Sequence, residues 1–151
     1  MPASTAPSFD PLPDPTYQAE FYADTPVKRL LAWIIDTVVI LAMSFVLAVA
    51  TFGLAFFLFF GLFFLVGFAY RVVTLANGSA TLGMRFMSIE FRKLNGQRFD
   101  LMDAFLHTLG FSILMSFIIL QVISVVLMLT TLRKQGLTDH LFGTVALNRA
   151  A

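Results

Sequence analysis

Apolar residues follow one another almost without interruption from Arg29 to Arg71, and the one charged residue between them is Asp36. A run of about 18 apolar residues already predicts a transmembrane helix, and this run is about twice as long. As a single helix it would extend about 60 Å, roughly two hydrocarbon thicknesses. The pattern therefore predicts a hairpin of two helices, over about residues 27–50 and 54–73.

A third apolar region covers residues 101–132 and is harder to interpret. As a helix it would extend about 48 Å, which is too long for one straight crossing. It is also too short for two full crossings, which need about 20 residues each. Two interpretations remain open: one crossing with an interfacial helix, or a re-entrant hairpin that breaks within Gly110–Ser116.

The loop over residues 74–100 carries a different pattern. Apolar and polar side chains alternate over residues 86–91, which is the periodicity of a β-strand. Residues 144–147 are also strand-like, and an isolated short strand is not stable. If the two segments pair, the third apolar region must enter and leave the membrane on one side. If they do not, a single crossing remains open.

Residues 1–24 contain five of the six prolines and four acidic residues, but no Lys or Arg. This composition predicts a disordered, Pro-rich tail. A secretory signal needs a basic segment followed by an apolar one, and the tail has neither. We therefore expect one membrane domain over residues 25–148.

The composition agrees with an all-α transmembrane fold that carries a small strand element in the cytoplasm. Hydrophobic residues make up 58% of the chain and charged residues 13%, about half the share of a soluble domain. The mean hydropathy is +0.85. The chain has no cysteine, its two histidines lie far apart, and its basic residues are sparse. We expect no catalytic, cofactor or metal site and no nucleic-acid partner, so the protein is not expected to be an enzyme.

Asp36 is the candidate functional residue of the apolar run. A carboxylate at the centre of a transmembrane helix costs about 2.5–3.5 kcal/mol, so it should face protein or water. It is either a proton or cation site or a hydrogen-bonded group that locks helix packing. We expect it to be linked to Arg29 and Asp139, directly or through Arg85 or His107, because an unpaired buried charge is costly.

Three motifs carry a resemblance to a known family. Arg29 opens the first apolar helix, and the first aspartate, Asp36, lies seven residues further on. A second aspartate, Asp139, lies in the segment Gly-Leu-Thr-Asp-His-Leu-Phe-Gly-Thr-Val, and a Thr-Leu-Gly-Met-Arg segment ends at Arg85. The chain resembles, over about residues 23–148, the bacterial RDD family, which is named for one arginine and two aspartates. It departs from the family pattern at Met84, where the family has Lys, and at His107, where the family often has Arg.

The resemblance implies a small multi-pass protein of the bacterial inner membrane. The basic residues lie on one side of the predicted hairpin, and the positive-inside rule places that side and the N-terminus in the cytoplasm. One function is ion- or proton-coupled transport of a small solute or cation through a charged cluster of Arg29, Asp36, Arg85 and Asp139. The alternative is a non-catalytic membrane scaffold or assembly factor in which these charges are structural. Besides the lipid bilayer, we expect a homo-oligomer or a membrane-protein partner, because so few crossings make a poor pathway.

Overall fold

Two long apolar helices form a hairpin. The computed structural model describes residues 10–149 and places helix α1 over Thr25–Ala50 and helix α2 over Phe59–Gly78. A turn and a short 3-10 helix, Leu54–Leu58, connect them. Gly53, the last residue of the turn, lies in the left-handed region at φ +84°, which glycine adopts without strain. Both helices are long and apolar enough to cross a bilayer.

One stripe of α1 is buried. The stripe repeats every four residues, so its members lie on the same face of the helix. It consists of Ala32, Asp36, Ile40, Ser44 and Ala48. Gly67 on α2 lets the helices approach, since a Cβ there would already lie 3.4 Å from Ile40. Most other large apolar side chains of α1 and α2 point away from the protein and are exposed, as expected of helices that face lipid.

The second helix ends later than the sequence predicts, at Gly78 rather than at residue 73. The Asn77-Gly78 dipeptide indicates a loop, but the Asn77 amide donates back to the carbonyl of Val73 and stays in the last turn. The helix stops only at Ser79, whose φ is +53°. Arg71 therefore lies within α2, about two turns from its end.

A small antiparallel sheet lies beyond the end of α2. The short helix α3 covers Leu82–Phe86, strand β1 covers Ile89–Lys93 and strand β2 covers Thr144–Asn148. The predicted strand over 86–91 begins three residues too early, because the Thr81 side chain caps α3 by accepting from the Met84 N–H. Of the two alternatives left open for the strand-like segments, the paired one is found: β1 and β2 pair antiparallel.

The third apolar region is two helices rather than one. Helix α4 covers Leu101–Met115 and helix α5 covers Ile118–Thr130, and the chain bends by 117° between them. At about 1.5 Å per residue, each is shorter than the roughly 30 Å of a hydrocarbon core. The short helix α6, Leu137–Phe142, then leads directly into β2. A pair of apolar helices bent in this way is either one broken crossing or a re-entrant hairpin.

The segment before α1 is packed against the sheet. Leu12 and Tyr22 are buried against Val145 and Leu147 of β2, and the Tyr22 hydroxyl donates to the carbonyl of Pro13. Residues 10–24 are therefore not disordered, as the sequence predicted, but ordered, with two apolar side chains that cover the sheet. Residues 1–9 of that predicted tail lie outside the described residues.

Candidate functional site

Asp36 is completely enclosed and accepts three hydrogen bonds. Its Oδ1 accepts from the Tyr70 hydroxyl at 2.6 Å and from the backbone N–H of Gly83 at 2.9 Å. Its Oδ2 accepts from the Thr81 hydroxyl at 2.6 Å. The side chain is 1% exposed. One carboxylate thus joins the middle of α1 to α2 and to the start of α3.

Local sequence explains why α3 can approach Asp36 so closely. Gly83 packs directly on the α1 backbone, where a Cβ would overlap the carbonyl oxygen of Ala32 and lie 2.9 Å from the Asp36 carboxylate. Glycine is the residue that permits such an approach. The Thr-Leu-Gly segment therefore supplies a hydroxyl, a backbone donor and an empty side-chain position at the same carboxylate.

Arg71 lies beside this site without completing a hydrogen bond to it. Its Nη1 is 3.8 Å from Oδ2 of Asp36, and its guanidinium lies over the ring of Phe111 at 4.9 Å from the centroid. Its side chain is 16% exposed. Within residues 10–149, none of its N–H groups has a hydrogen-bond acceptor.

Asp139 forms a second enclosed site, at the start of α6 and outside the apolar helices. Its Oδ2 pairs with Nη1 of Arg29 and accepts from the backbone N–H of Gly136 at 2.9 Å. Its Oδ1 accepts from the Thr144 hydroxyl at 3.0 Å and lies 3.2 Å from Nε2 of His107. This carboxylate joins α1, α4 and α6 to the first residue of β2.

The environment of Asp139 favours its charged form. Burial alone would raise the pKa of the carboxyl, but the positive charge of Arg29 and the hydrogen bond with His107 lower the pKa well below its usual range. The ring of Phe91 packs against both partners of Asp139. Its centroid lies 4.6 Å from the centroid of the His107 ring and 5.2 Å from the guanidinium carbon of Arg29. Asp139 is therefore a permanently charged partner of Arg29 at neutral pH.

A small cavity separates the two carboxylate sites. Its volume is about 70 Å³, and side chains from α1, α2, α3, α4 and β1 line it. The polar side chains around it are Arg29, Asp36, Arg71, Thr81, His107 and Thr108. The Thr108 hydroxyl is buried and has no hydrogen-bond partner within residues 10–149. Arg29, which pairs with Asp139, and Arg71, which lies beside Asp36, therefore line the same cavity.

The structure brings together part of the cluster that the sequence predicts. Arg29 and Asp139 are paired and His107 joins them, while Asp36 belongs to a separate site across the cavity. Arg85 belongs to neither, so its predicted place in the cluster is wrong. Gly83 and Met84 form the buried face of α3, and the next residue, Arg85, turns outward, where its Nε donates to the carbonyl of Ala80.

The sequence analysis did not single out Tyr70 and Arg71 as site residues, because it ended the second helix at about residue 73 and so placed both near the end of that helix. The misplaced end of α2 caused the error. With the helix ending at Gly78, Arg71 lies seven residues inside it, at a depth comparable with Asp36 in the neighbouring helix. A predicted helix that continued to Gly78 would have placed Arg71 inside α2 and so revealed it as a candidate site residue. Thr108 carried no signal in the sequence.

A third carboxylate, Glu90 on β1, is 6% exposed and lies among three arginines. Its Oε1 accepts from Nη2 of Arg92 at 2.5 Å, and its Oε2 is 3.2 Å from Arg149 and 3.6 Å from Arg98. Arg92 is on β1 itself, Arg98 lies in the loop after β1, and Arg149 follows β2, so only the pair with Arg149 links the two strands. Glu90 does not line the cavity. No group of acidic and histidine side chains that could hold a metal ion occurs within residues 10–149.

Of the comparisons with known proteins, the one with protein-family models found a match. No curated protein and no solved structure matches the chain. The family model of the RDD family matches residues 23–143, a span that contains Arg29, Asp36 and Asp139 as well as the helix hairpin and β1, and that ends just before β2. Because this match covers most of the sequence, the chain belongs to the RDD family.

Proposed function

We propose that the protein is a non-catalytic module of the bacterial inner membrane, in which the buried arginine and carboxylate pairs hold the fold together. The family and the apolar helices indicate an integral membrane protein. In our proposal α1 and α2 cross the bilayer, α4 and α5 form a re-entrant hairpin, and the sheet and N-terminus are cytoplasmic.

The distribution of basic residues supports this orientation. The sheet, α3 and α6 lie at one end of the helix hairpin, and the connection from residue 51 to 58 lies at the other. All ten basic residues belong to the helices' sheet-side halves or to the segments at that end. The connection itself contains no charged residue. The positive-inside rule assigns the basic end to the cytoplasm.

Labelling tests the orientation. The chain has no cysteine, so a single cysteine at Phe52 reports on the connection between the two helices without background. Phe52 is fully exposed. A membrane-impermeant thiol reagent should label Phe52→Cys in intact cells, whereas Leu132→Cys, at the sheet end, should require opened cells. The reverse pattern would refute the proposed orientation.

The observation that carries the structural role is the saturation of both carboxylates. Asp36 accepts hydrogen bonds from two other helices and the turn between them, and Asp139 is held by a cation and three further polar groups. To bind and release an ion, either carboxylate would have to give up some of these donors, and each broken hydrogen bond costs free energy. The same contacts explain why α1, which contributes a side chain to each site, carries two of the three family residues.

Ion- or proton-coupled transport is the second candidate, and the cavity between the two sites favours it. Arg29, Asp36, Arg71 and His107 line one space that is large enough for a few water molecules. Intramembrane ionisable residues around such a space are typical of ion pathways. Two crossings and a hairpin enclose little volume, so this candidate requires a homo-oligomer or a membrane-protein partner.

Flux through vesicles distinguishes the two candidates. Purified protein in liposomes is assayed for proton and sodium flux, together with Asp36→Asn and, as a matched control, Asp14→Asn in the exposed N-terminal segment. A structural role predicts that Asp36→Asn lowers the melting temperature and that wild-type flux equals that of empty vesicles. Wild-type flux that Asp36→Asn abolishes at unchanged melting temperature would instead establish transport.

A further inference from the structure

The guanidinium of Arg71 has more donors than the protein satisfies. A guanidinium carries five N–H donors in a fixed plane. The nearest carboxylate oxygen, on Asp36, is 3.8 Å away, and no N–H of Arg71 reaches an acceptor within residues 10–149. Asp36 is already occupied by donors from Tyr70, Thr81 and Gly83. The side chain is 16% exposed, so these unused N–H groups are accessible to an acceptor from outside the protein.

Thr108 provides an independent sign of the same missing partner. Its side chain is 1% exposed, and its hydroxyl forms no hydrogen bond with any residue that the structure describes. Buried hydroxyls are normally bonded. Thr108 is on α4 and Arg71 is on α2, yet both line the one cavity of about 70 Å³. Two elements thus direct unused polar groups toward a common volume.

The shape and walls of the cavity limit what fits. Its volume accommodates a few water molecules or one small anion such as formate or acetate. The apolar walls include Trp33, Leu75, Phe91 and Phe111. These walls suit a ligand with an apolar side and a single polar end, and they leave too few donors for the four oxygens of a phosphate.

The free hydrogen-bonding groups around the cavity favour an anion over a cation. Both carboxylates near it already accept two or more hydrogen bonds each, so few free acceptors remain for a cation. The unused groups are donors, on Arg71 and Thr108. A planar guanidinium binds a planar carboxylate through two parallel N–H···O bonds.

We propose that the cavity between Arg71 and Thr108 is a binding site for a small carboxylate anion. The two ligand oxygens accept from the guanidinium of Arg71, and one of them also accepts from the Thr108 hydroxyl. The short aliphatic part of the ligand lies against Phe111 and Trp33. The site requires only the described cavity, so it is independent of the membrane orientation and of any transport activity.

Trp33 is the one tryptophan of the chain and lines the cavity, so its fluorescence reports occupancy. The full-length protein in detergent is titrated with sodium formate and sodium acetate, and with sodium chloride at equal ionic strength. The proposal predicts a saturable change in fluorescence with the carboxylates and none with chloride. No saturable change with either carboxylate, or saturation by sodium phosphate alone, would overturn it.

Two variants separate binding from folding. Thr108→Val keeps the volume and removes an unpartnered hydroxyl, so the fold should be unaffected or stabilised while acetate binding weakens roughly tenfold or more. Thr130→Val, on the exposed face of α5, is the matched control and should bind acetate like the wild type. Arg71→Lys keeps the charge but loses the paired donors and should also weaken binding, unlike Arg85→Lys. Acetate affinity unchanged in a folded Thr108→Val protein would refute the site.

Discussion

At the scale of single residues, the two aspartates of the family pattern are both buried and paired, but they do not share a site. Sequence reasoning correctly required a partner for each, because an uncompensated buried charge is too costly to keep. It could not assign the partners. Tyr70, Thr81 and the backbone of Gly83 reach Asp36 only after α2 and α3 have folded around it.

Gly83 should tolerate no side chain. We predict that Gly83→Ala destabilises the protein by about 1–3 kcal/mol or more, because its Cβ would collide with the α1 backbone at Ala32 and crowd the Asp36 carboxylate. Thermal unfolding in detergent measures the effect. Gly61→Ala is the matched control, since a Cβ there meets nothing within 4 Å and should leave the melting temperature unchanged or slightly raised. Equal effects of the two substitutions would contradict the close packing of α3 on α1.

The pairing of Asp139 with Arg29 should appear in the pH dependence of stability. Because folding lowers the pKa of Asp139, its charged form stabilises the fold at pH values above its ordinary pKa of about 3.9. That contribution is lost as the pH falls below about 4 toward the lowered pKa of the folded state. We predict that the wild-type melting temperature drops with pH in this range and that Asp139→Asn flattens the drop.

At pH 7, Asp139→Asn should cost about 3–5 kcal/mol, because it leaves the Arg29 guanidinium partly buried without its anion. Removing both charges, in Arg29→Gln with Asp139→Asn, should cost less than the sum of the single substitutions, since neither residue is then left unpaired. Melting temperatures of the three variants measure this coupling. Strict additivity would mean that the contact contributes nothing.

At the scale of elements, the hydrophobic pattern predicts where the hairpin starts. It does not predict the end of α2, and it leaves two interpretations open for the third apolar region, which the structure divides into two helices. The apolar run that begins after Arg29 predicts α1 nearly residue by residue. The end of α2 was misplaced because the local loop signal of Asn77-Gly78 is overridden by hydrogen bonds within the last helical turn. The break between α4 and α5, at residues 116 and 117, lies at the end of the predicted stretch Gly110–Ser116, although no proline marks it. The pattern did not reveal whether the chain crosses the membrane or returns there.

The register of the sheet offers a direct test at this scale. Arg92 lies opposite Val145 in the antiparallel pair, so cysteines at these positions should form a disulfide under mild oxidation. The absence of native cysteine makes the product unambiguous on a non-reducing gel. The control pairs Arg92→Cys with Asn148→Cys, three positions out of register, and should not cross-link. Cross-linking of the control in preference to the matched pair would refute the register.

At the scale of the whole molecule, the pairing of β1 with β2 determines on which side the chain leaves the third apolar region. Because β1 follows α2 and β2 follows α5, their pairing brings both helix ends to one side. The 117° bend between α4 and α5 is what allows the chain to return. The sequence contained both features, the long third apolar region and the two strand-like segments. It could not choose between one crossing and a return, because that choice depends on a contact between residues more than fifty positions apart.

The re-entrant arrangement predicts the side of the C-terminus. If α1 and α2 cross the bilayer and α4 and α5 do not, a reporter fused after Ala151 must lie on the same side as the segment before α1. A reporter that is active only in the cytoplasm should therefore be active there, and one that requires export should be silent. Replacing β2 residue Val145 by Asp, which would bury an unpaired charge in the sheet, should lower the yield of folded fusion without moving the reporter across the membrane. An active exported reporter would rule out the hairpin, because α4 and α5 would then form one continuous crossing and β2 could not reach β1.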